Sequence, residues 1–153
     1  MMKKLVSVLL ICCLALGLTA CKGEEEQKNV LTCSMEQNGV TIKMSFDAKG
    51  DTITRITQES VINTESYDED QIAMIETAVE EAAAAYKEID GIEYSTEQGD
   101  TELIEKIIIP TDKDTLQAVV KAGLLPVDDE DVTELSLKST QENLESMGWT
   151  SEE

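Results

Sequence analysis

Four residues carry the clearest chemistry in this chain. Leu18-Thr19-Ala20-Cys21 places an aliphatic residue and two small ones before a cysteine, at the end of a short apolar run. This is the pattern of a lipobox. A cysteine is required because its thiolate is the nucleophile that forms a thioether with diacylglycerol, after which a signal peptidase cuts before Cys21. The preceding residues fit an export signal. Lys3 and Lys4 give a positive start, and Leu5 to Leu16 give an apolar stretch leading to the small residues at the cut. That stretch is shorter than the roughly 20 apolar residues needed to cross a bilayer. Cys12 and Cys13 lack the aliphatic-small-small lead-in and read as part of the apolar stretch.

The expected mature protein therefore begins at Cys21, lipid-anchored on the outer side of a bacterial cell membrane. Each buried methylene of the lipid contributes about 0.8 kcal/mol, so two or three chains make the attachment durable. Residues 1–20 read as the signal peptide, 21–29 as a lipidated polar tether, and 30–150 as one domain.

The remaining inventory excludes much. The sequence has no histidine, which removes Ser-His-Asp and Cys-His catalysis and histidine-containing zinc sites. Once Cys21 is alkylated, Cys33 is the other cysteine of the mature chain and has no partner within it. It reads as a small buried core residue, with a thiol exposed for pairing between chains as the alternative. Loss of the leader leaves 10 basic residues against 32 acidic ones, a formal charge of −22. Such a chain is unsuited to nucleic-acid phosphates and is repelled by anionic headgroups, so lipid must do the anchoring. Asp68-Glu69-Asp70 and Asp128-Asp129-Glu130-Asp131 lack the spacing of a calcium loop and read as solvated acidic runs. No metal site and no cofactor is expected. The acid–base chemistry left is that of paired carboxylates.

The elements that must position these residues follow from periodicity. Val30 to Met35 and Val40 to Ala48 alternate as strands around Asn38-Gly39, a hairpin signal. A third strand spans Thr52 to Thr64. Its apolar residues change parity between Ile53 and Ile56, which predicts a bulge or bend near Arg55. Asp68-Glu69-Asp70 opens a helix running from Gln71 to Glu88, with an Ala-rich side and a Glu-rich side. Ile92 to Thr96 and Glu102 to Ile109 form a second hairpin; the latter is apolar on both faces at its end and belongs inside the sheet. Leu103, Glu105, Ile107 and Ile109 share one parity. Thr111 or Asp112 caps a short helix that Gly123 ends. Val132 to Leu137 reads as a short edge strand, and Ser139-Thr140-Gln141-Glu142 as the capping box of a last helix closed by Gly148. Trp149 is expected to pack back on the body and the last three residues to fray. The expected fold is α+β: an antiparallel sheet of five to six strands with helices on one face, in the order β-β-β-α-β-β-α-β-α.

From Gly39 to Trp149 the chain resembles the YehR-like lipoproteins, a family of small bacterial lipoproteins. The resemblance is carried by the lipobox, Asn38-Gly39-Val40-Thr41-Ile42, Lys49-Gly50-Asp51, Thr57-Gln58-Glu59-Ser60 and Tyr86-Lys87-Glu88-Ile89-Asp90-Gly91-Ile92. It ends with Leu135-Ser136-Leu137 leading into a helix that closes at Met147-Gly148-Trp149. It implies an α+β domain on a lipid anchor with no assigned activity, and it carries over one functional position, Cys21.

A tether, a rigid domain and no catalytic inventory point to a non-enzymatic module that binds a small ligand or another envelope protein. The wet face of the first three strands, Thr41, Lys43, Ser45, Thr57 and Glu59, is its candidate contact surface. A self-associating spacer, through Cys33 or a strand edge, is the alternative. A hydrolase using two carboxylates is the remaining enzymatic one.

Overall fold

The computed structural model describes residues 25–125, 127 and 129–152. Leu18, Thr19, Ala20, Cys21 and the leader lie outside them, as do Asp128 and Glu153.

Three strands open the domain: β1 (Glu26–Gln37), β2 (Val40–Lys49) and β3 (Thr52–Asn63). A 3-10 turn (Thr64–Ser66) leads into α1 (Glu69–Lys87), followed by β4 (Glu93–Gln98), β5 (Glu102–Pro110), α2 (Lys113–Lys121), α3 (Leu137–Ser146) and β6 (Thr150–Glu152). The strands form one sheet in the order β4-β5-β3-β2-β1-β6, antiparallel throughout. The fold class is the α+β arrangement expected from the sequence. Helices cover one face, where Phe46, Ile53, Ile56, Ile107, Leu116, Val119 and Leu144 are fully buried.

The first hairpin turns at Asn38 (φ 53°) and Gly39 (φ 79°), the positive angles of the tight turn that Asn-Gly favours. A Cβ on Gly39 would also lie 2.8 Å from Ser66 Cβ and Oγ, so two constraints select glycine here. The parity change in β3 is a bulge: Arg55 pairs with Asp47 and Ile53 with Ala48, leaving Thr54 as the extra residue. Asp68 and Gln71 cap α1 reciprocally, at 2.9 and 3.0 Å. Asp112 caps α2 by accepting Thr115 N–H at 3.1 Å, and that bond holds its carboxyl below the usual range.

Four expectations change. β1 begins at Glu26, inside the segment read as tether, and so ahead of residue 30; Glu26 and Gln27 pair with Lys49 and Ala48. Val132 to Leu137 is not a strand. Its contribution to the sheet is one bridge, Ser136 to Thr52, with Val132 and Leu135 buried as anchors. The last helix starts at Leu137, capped by Ser136 and not by Ser139; Ser136 Oγ accepts Ser139 N–H at 3.2 Å. Asp51 reinforces this start, accepting from Ser136 Oγ at 2.6 Å and from Lys138 N–H at 2.8 Å. Finally, Ser151 and Glu152, expected to fray, join Thr150 in the sixth strand, β6, which follows the last helix and covers β1 at Thr32–Ser34. Trp149 is buried, and this anchor brings the chain end back to the sheet.

Candidate functional site: an open sheet face and a buried acid–tyrosine cluster

Strand alternation divides the sheet into two surfaces. On the face away from the helices, Thr41, Lys43 and Ser45 of β2 stand opposite Val61, Glu59 and Thr57 of β3. The five candidate contact residues are therefore neighbours in one patch, all exposed or half-buried. The patch continues across β1, where Ser34 pairs with Lys43 and Thr32 Oγ1 lies 3.3 Å from Ser45 Oγ. On the other side Glu59 pairs with Lys106 of β5. Lys106 lies between Ile104 and Ile108, and these half-buried isoleucines, with Val61, make a short aliphatic strip beside the polar centre. Sequence reading placed the polar half of this surface but missed the strip. The two-faced apolarity of β5 was the signal for it.

The lower end of this face is closed by Asp47, which is 6% exposed. Its carboxylate accepts Asn29 N–H at 2.9 Å and Lys28 Nζ at 3.2 Å, and Arg55 Nε approaches to 4.0 Å. Asn29 has φ 49° within an irregular stretch of β1 between Gln27 and Leu31. Asp47 thus pins the start of the domain to β2. Lys28 also meets Glu26 at 3.0 Å.

The opposite face carries a feature that sequence reading did not single out. Glu105 of β5 is 1% exposed, directly opposite Ser60 of β3 and Thr96 of β4, beneath α1. Gln58, Ser60 and Tyr86 are also buried there. Tyr94 stacks on Tyr86 with ring centroids 5.8 Å apart. Its hydroxyl is 3.1 Å from the carbonyl oxygen of Val79 and also bonds Glu105 Oε1. A phenol has one hydrogen to donate. When the phenol hydrogen goes to Val79 O, the contact with Glu105 Oε1 is a hydrogen bond only if the carboxyl is protonated; when the carboxyl is ionised, the phenol donates to it instead. Burial raises the Glu105 carboxyl above its ordinary 4.5, which favours the protonated form, against a smaller opposing effect of the Tyr94 bond. Burial, then Glu105, likewise drives both tyrosines upward. Glu105 Oε2 and the Tyr86 hydroxyl have no partner among the described residues. The signal for Glu105 was its place on the buried parity with Leu103, Ile107 and Ile109.

Among the described residues the two buried carboxylates, Asp47 and Glu105, are on opposite faces of the sheet, so they do not form a catalytic pair. Cys33 is 0% exposed, with Sγ 3.6 Å from Ser151 Oγ under β6. Burial raises its thiol. The expectation of a core cysteine fits this position, and pairing between chains through it would require β6 to leave. The acidic loop holds Asp129 folded on itself, Oδ1 accepting Asp131 N–H at 2.9 Å.

A six-stranded antiparallel sheet with helices on one face and an open polar surface on the other defines the class: a YehR-like α+β domain. Residues 30–150 match the family described as a protein of unknown function, DUF1307, and the chain belongs to that family. Two curated relatives come from Listeria. Uncharacterized lipoprotein Lmo0207 of Listeria monocytogenes is 30% identical over 152 residues, and Lin0239 of Listeria innocua 28% over 149; each match covers 97% of this chain and 95% of the relative. Among solved structures, the NMR structure of the Escherichia coli YehR protein has a TM-score of 0.63 at 22% identity, covering 84% of this chain and 92% of that one. A Streptococcus pneumoniae protein has a TM-score of 0.52 at 15% identity, covering 89% and 92%. These two likenesses concern the fold.

Proposed function

We propose that this chain is an extracytoplasmic lipoprotein, anchored through Cys21, whose domain is a non-enzymatic binding module contacting an envelope partner through its open sheet face. The anchoring half rests on Leu18-Thr19-Ala20-Cys21 and on the description of both Listeria relatives as lipoproteins. The single observation that supports the binding half is the face itself. Thr41, Lys43, Ser45, Thr57 and Glu59 are contiguous, bordered by the strip of Val61, Ile104 and Ile108, and no described helix packs on them. An antiparallel sheet can leave one face wet without using it. The test must therefore compare faces.

A photo-crosslinking side chain at Thr41 or Thr57 in living cells is expected to capture a discrete envelope protein. The same group at Met74, exposed on α1, is the control. Equal or absent capture from both sites refutes the binding reading. The anchoring reading is tested separately by the mass of the N-terminal peptide, which must carry a diacylglyceryl thioether at Cys21.

A further inference from the structure

The domain has two chemically different ends. Asn63 N–H bonds Gly39 O at 2.8 Å and Thr64 N–H bonds Thr101 O at 2.9 Å; Tyr67 reaches Asn38 O. The β1–β2 and β4–β5 turns and the start of α1 therefore meet at one end. The segments gathered there, residues 36–39, 64–71 and 97–102, hold eight acidic residues and no Lys or Arg.

The other end is where β1 begins, where Glu26 pairs with Lys49, and where Asp51 caps α3. It also receives the end of α1, the end of β5 and the start of α2. Lys28, Lys49, Arg55, Lys87, Lys113 and Lys138 stand there, six of the nine basic residues among residues 25–152. The same segments, residues 25–28, 47–55, 87–93, 110–114 and 134–138, hold ten acidic residues, some of them matched: Lys28 holds Glu26 and Asp47, and Asp51 accepts from Ser136 Oγ and Lys138 N–H.

Chain length ties the same end to the lipid. Cys21 is five residues before Glu26, so even a fully extended connection spans only about 17 Å at ~3.5 Å per residue. β1 is 12 residues long, which separates the two ends by about 40 Å at ~3.3 Å per residue. Screening acts over about 8 Å at physiological salt. A domain lying flat would bring the end that has no Lys or Arg within that range of anionic headgroups, whereas a domain standing on its mixed-charge end brings six basic residues there together with their neighbouring carboxylates.

Given the anchoring reading above, on which this rests, we infer that the end bearing Lys28, Lys49, Arg55, Lys113 and Lys138 is the surface that meets the phospholipid headgroups. The acidic end points outward, and the open sheet face is turned sideways, where a partner in the envelope can reach it.

The test uses lipidated protein extracted from cells and reconstituted in vesicles of phosphatidylcholine and phosphatidylglycerol. A donor dye is placed at Asp114→Cys, on the exposed first turn of α2, or at Asp100→Cys, on the exposed second hairpin turn. Energy transfer to a headgroup-labelled lipid should be several-fold greater from position 114. In the triple variant Lys49→Glu, Lys113→Glu, Lys138→Glu the difference should shrink, with circular dichroism confirming the fold. Equal transfer from the two labels, or a difference that the triple variant leaves unchanged, overturns the inference. The mass of the N-terminal peptide is read on the same sample. An unmodified mass brings down the anchoring reading and this one with it, whereas equal transfer from correctly lipidated protein brings down the orientation alone.

Discussion

Replacing Glu105 with Gln tests the proton count inside the domain. The amide is the neutral shape of the protonated acid and can still donate to the Tyr94 oxygen while Tyr94 donates to Val79. In wild type the native carboxyl binds its proton more tightly than the unfolded one, because burial raises it above 4.5. The sign follows from linkage: stability from this group is fully present below the ordinary carboxyl range and is lost as pH rises toward the native value. One group exchanges one proton, so the loss is at most about 1.4 kcal/mol per pH unit in that window. Among the described residues, burial and the Tyr94 bond are what shift the Glu105 carboxyl, and no charged side chain does. Across the sheet Glu105 faces Ser60 and Thr96, and the Tyr94 hydroxyl bonds it, with Tyr86 stacked on Tyr94. Urea unfolding followed by the fluorescence of buried Trp149, from pH 4 to pH 8, gives the difference between the two proteins. Near pH 4 the curves should nearly coincide. With rising pH the Gln variant should become the more stable, at up to the slope above, while the titration of the other carboxylates cancels in the difference. Parallel pH profiles would refute the reasoning and place an ionised carboxylate in the native core.

Gly39→Ala should lower stability by about 1–3 kcal/mol, since it adds a strained positive φ to a 2.8 Å clash with Ser66; chemical denaturation measures it, and a loss under about 0.5 kcal/mol contradicts the turn geometry. Asp51→Ala should cost about 1–3 kcal/mol, because it leaves the Lys138 N–H and Ser136 hydroxyl unmatched at the start of α3. Amide exchange should rise first in residues 137–140. Cys33 should resist maleimide in the native state and react once urea unfolds the chain; labelling of native protein at the rate of a free thiol contradicts the seal made by β6.

Much of the sheet was legible because its signals were local. Asn38-Gly39 fixed the first turn, and the parity change between Ile53 and Ile56 located the bulge to one residue. The contact patch followed from alternation in β2 and β3, since pairing in register brings Lys43 to Glu59 and Ser45 to Thr57 without further information. The errors fall where a partner distant in sequence decides the structure. Val132 to Leu137 has strand-like residues, but Ile53 N–H takes Leu135 O at 2.9 Å and Asp51 captures the next turn as a helix start. Thr150 to Glu152 carries no strand signal of its own and is ordered by β1 and by Trp149. Glu26 to Asn29 reads as tether because its partner, Asp47, lies in another strand. The Glu105 cluster was half legible: parity placed the carboxyl inward, but its phenol and carbonyl partners come from β4 and α1.

β6 leaves β1 bonded along both edges over Thr32–Ser34. A pull on the residues ahead of Glu26 runs along that strand, at right angles to its ladder bonds, so these are loaded together in shear instead of peeling apart in turn. The last three strand residues, far away in sequence, thus brace the strand that takes any tension from upstream. Deleting them should weaken the domain against mechanical force more than against heat.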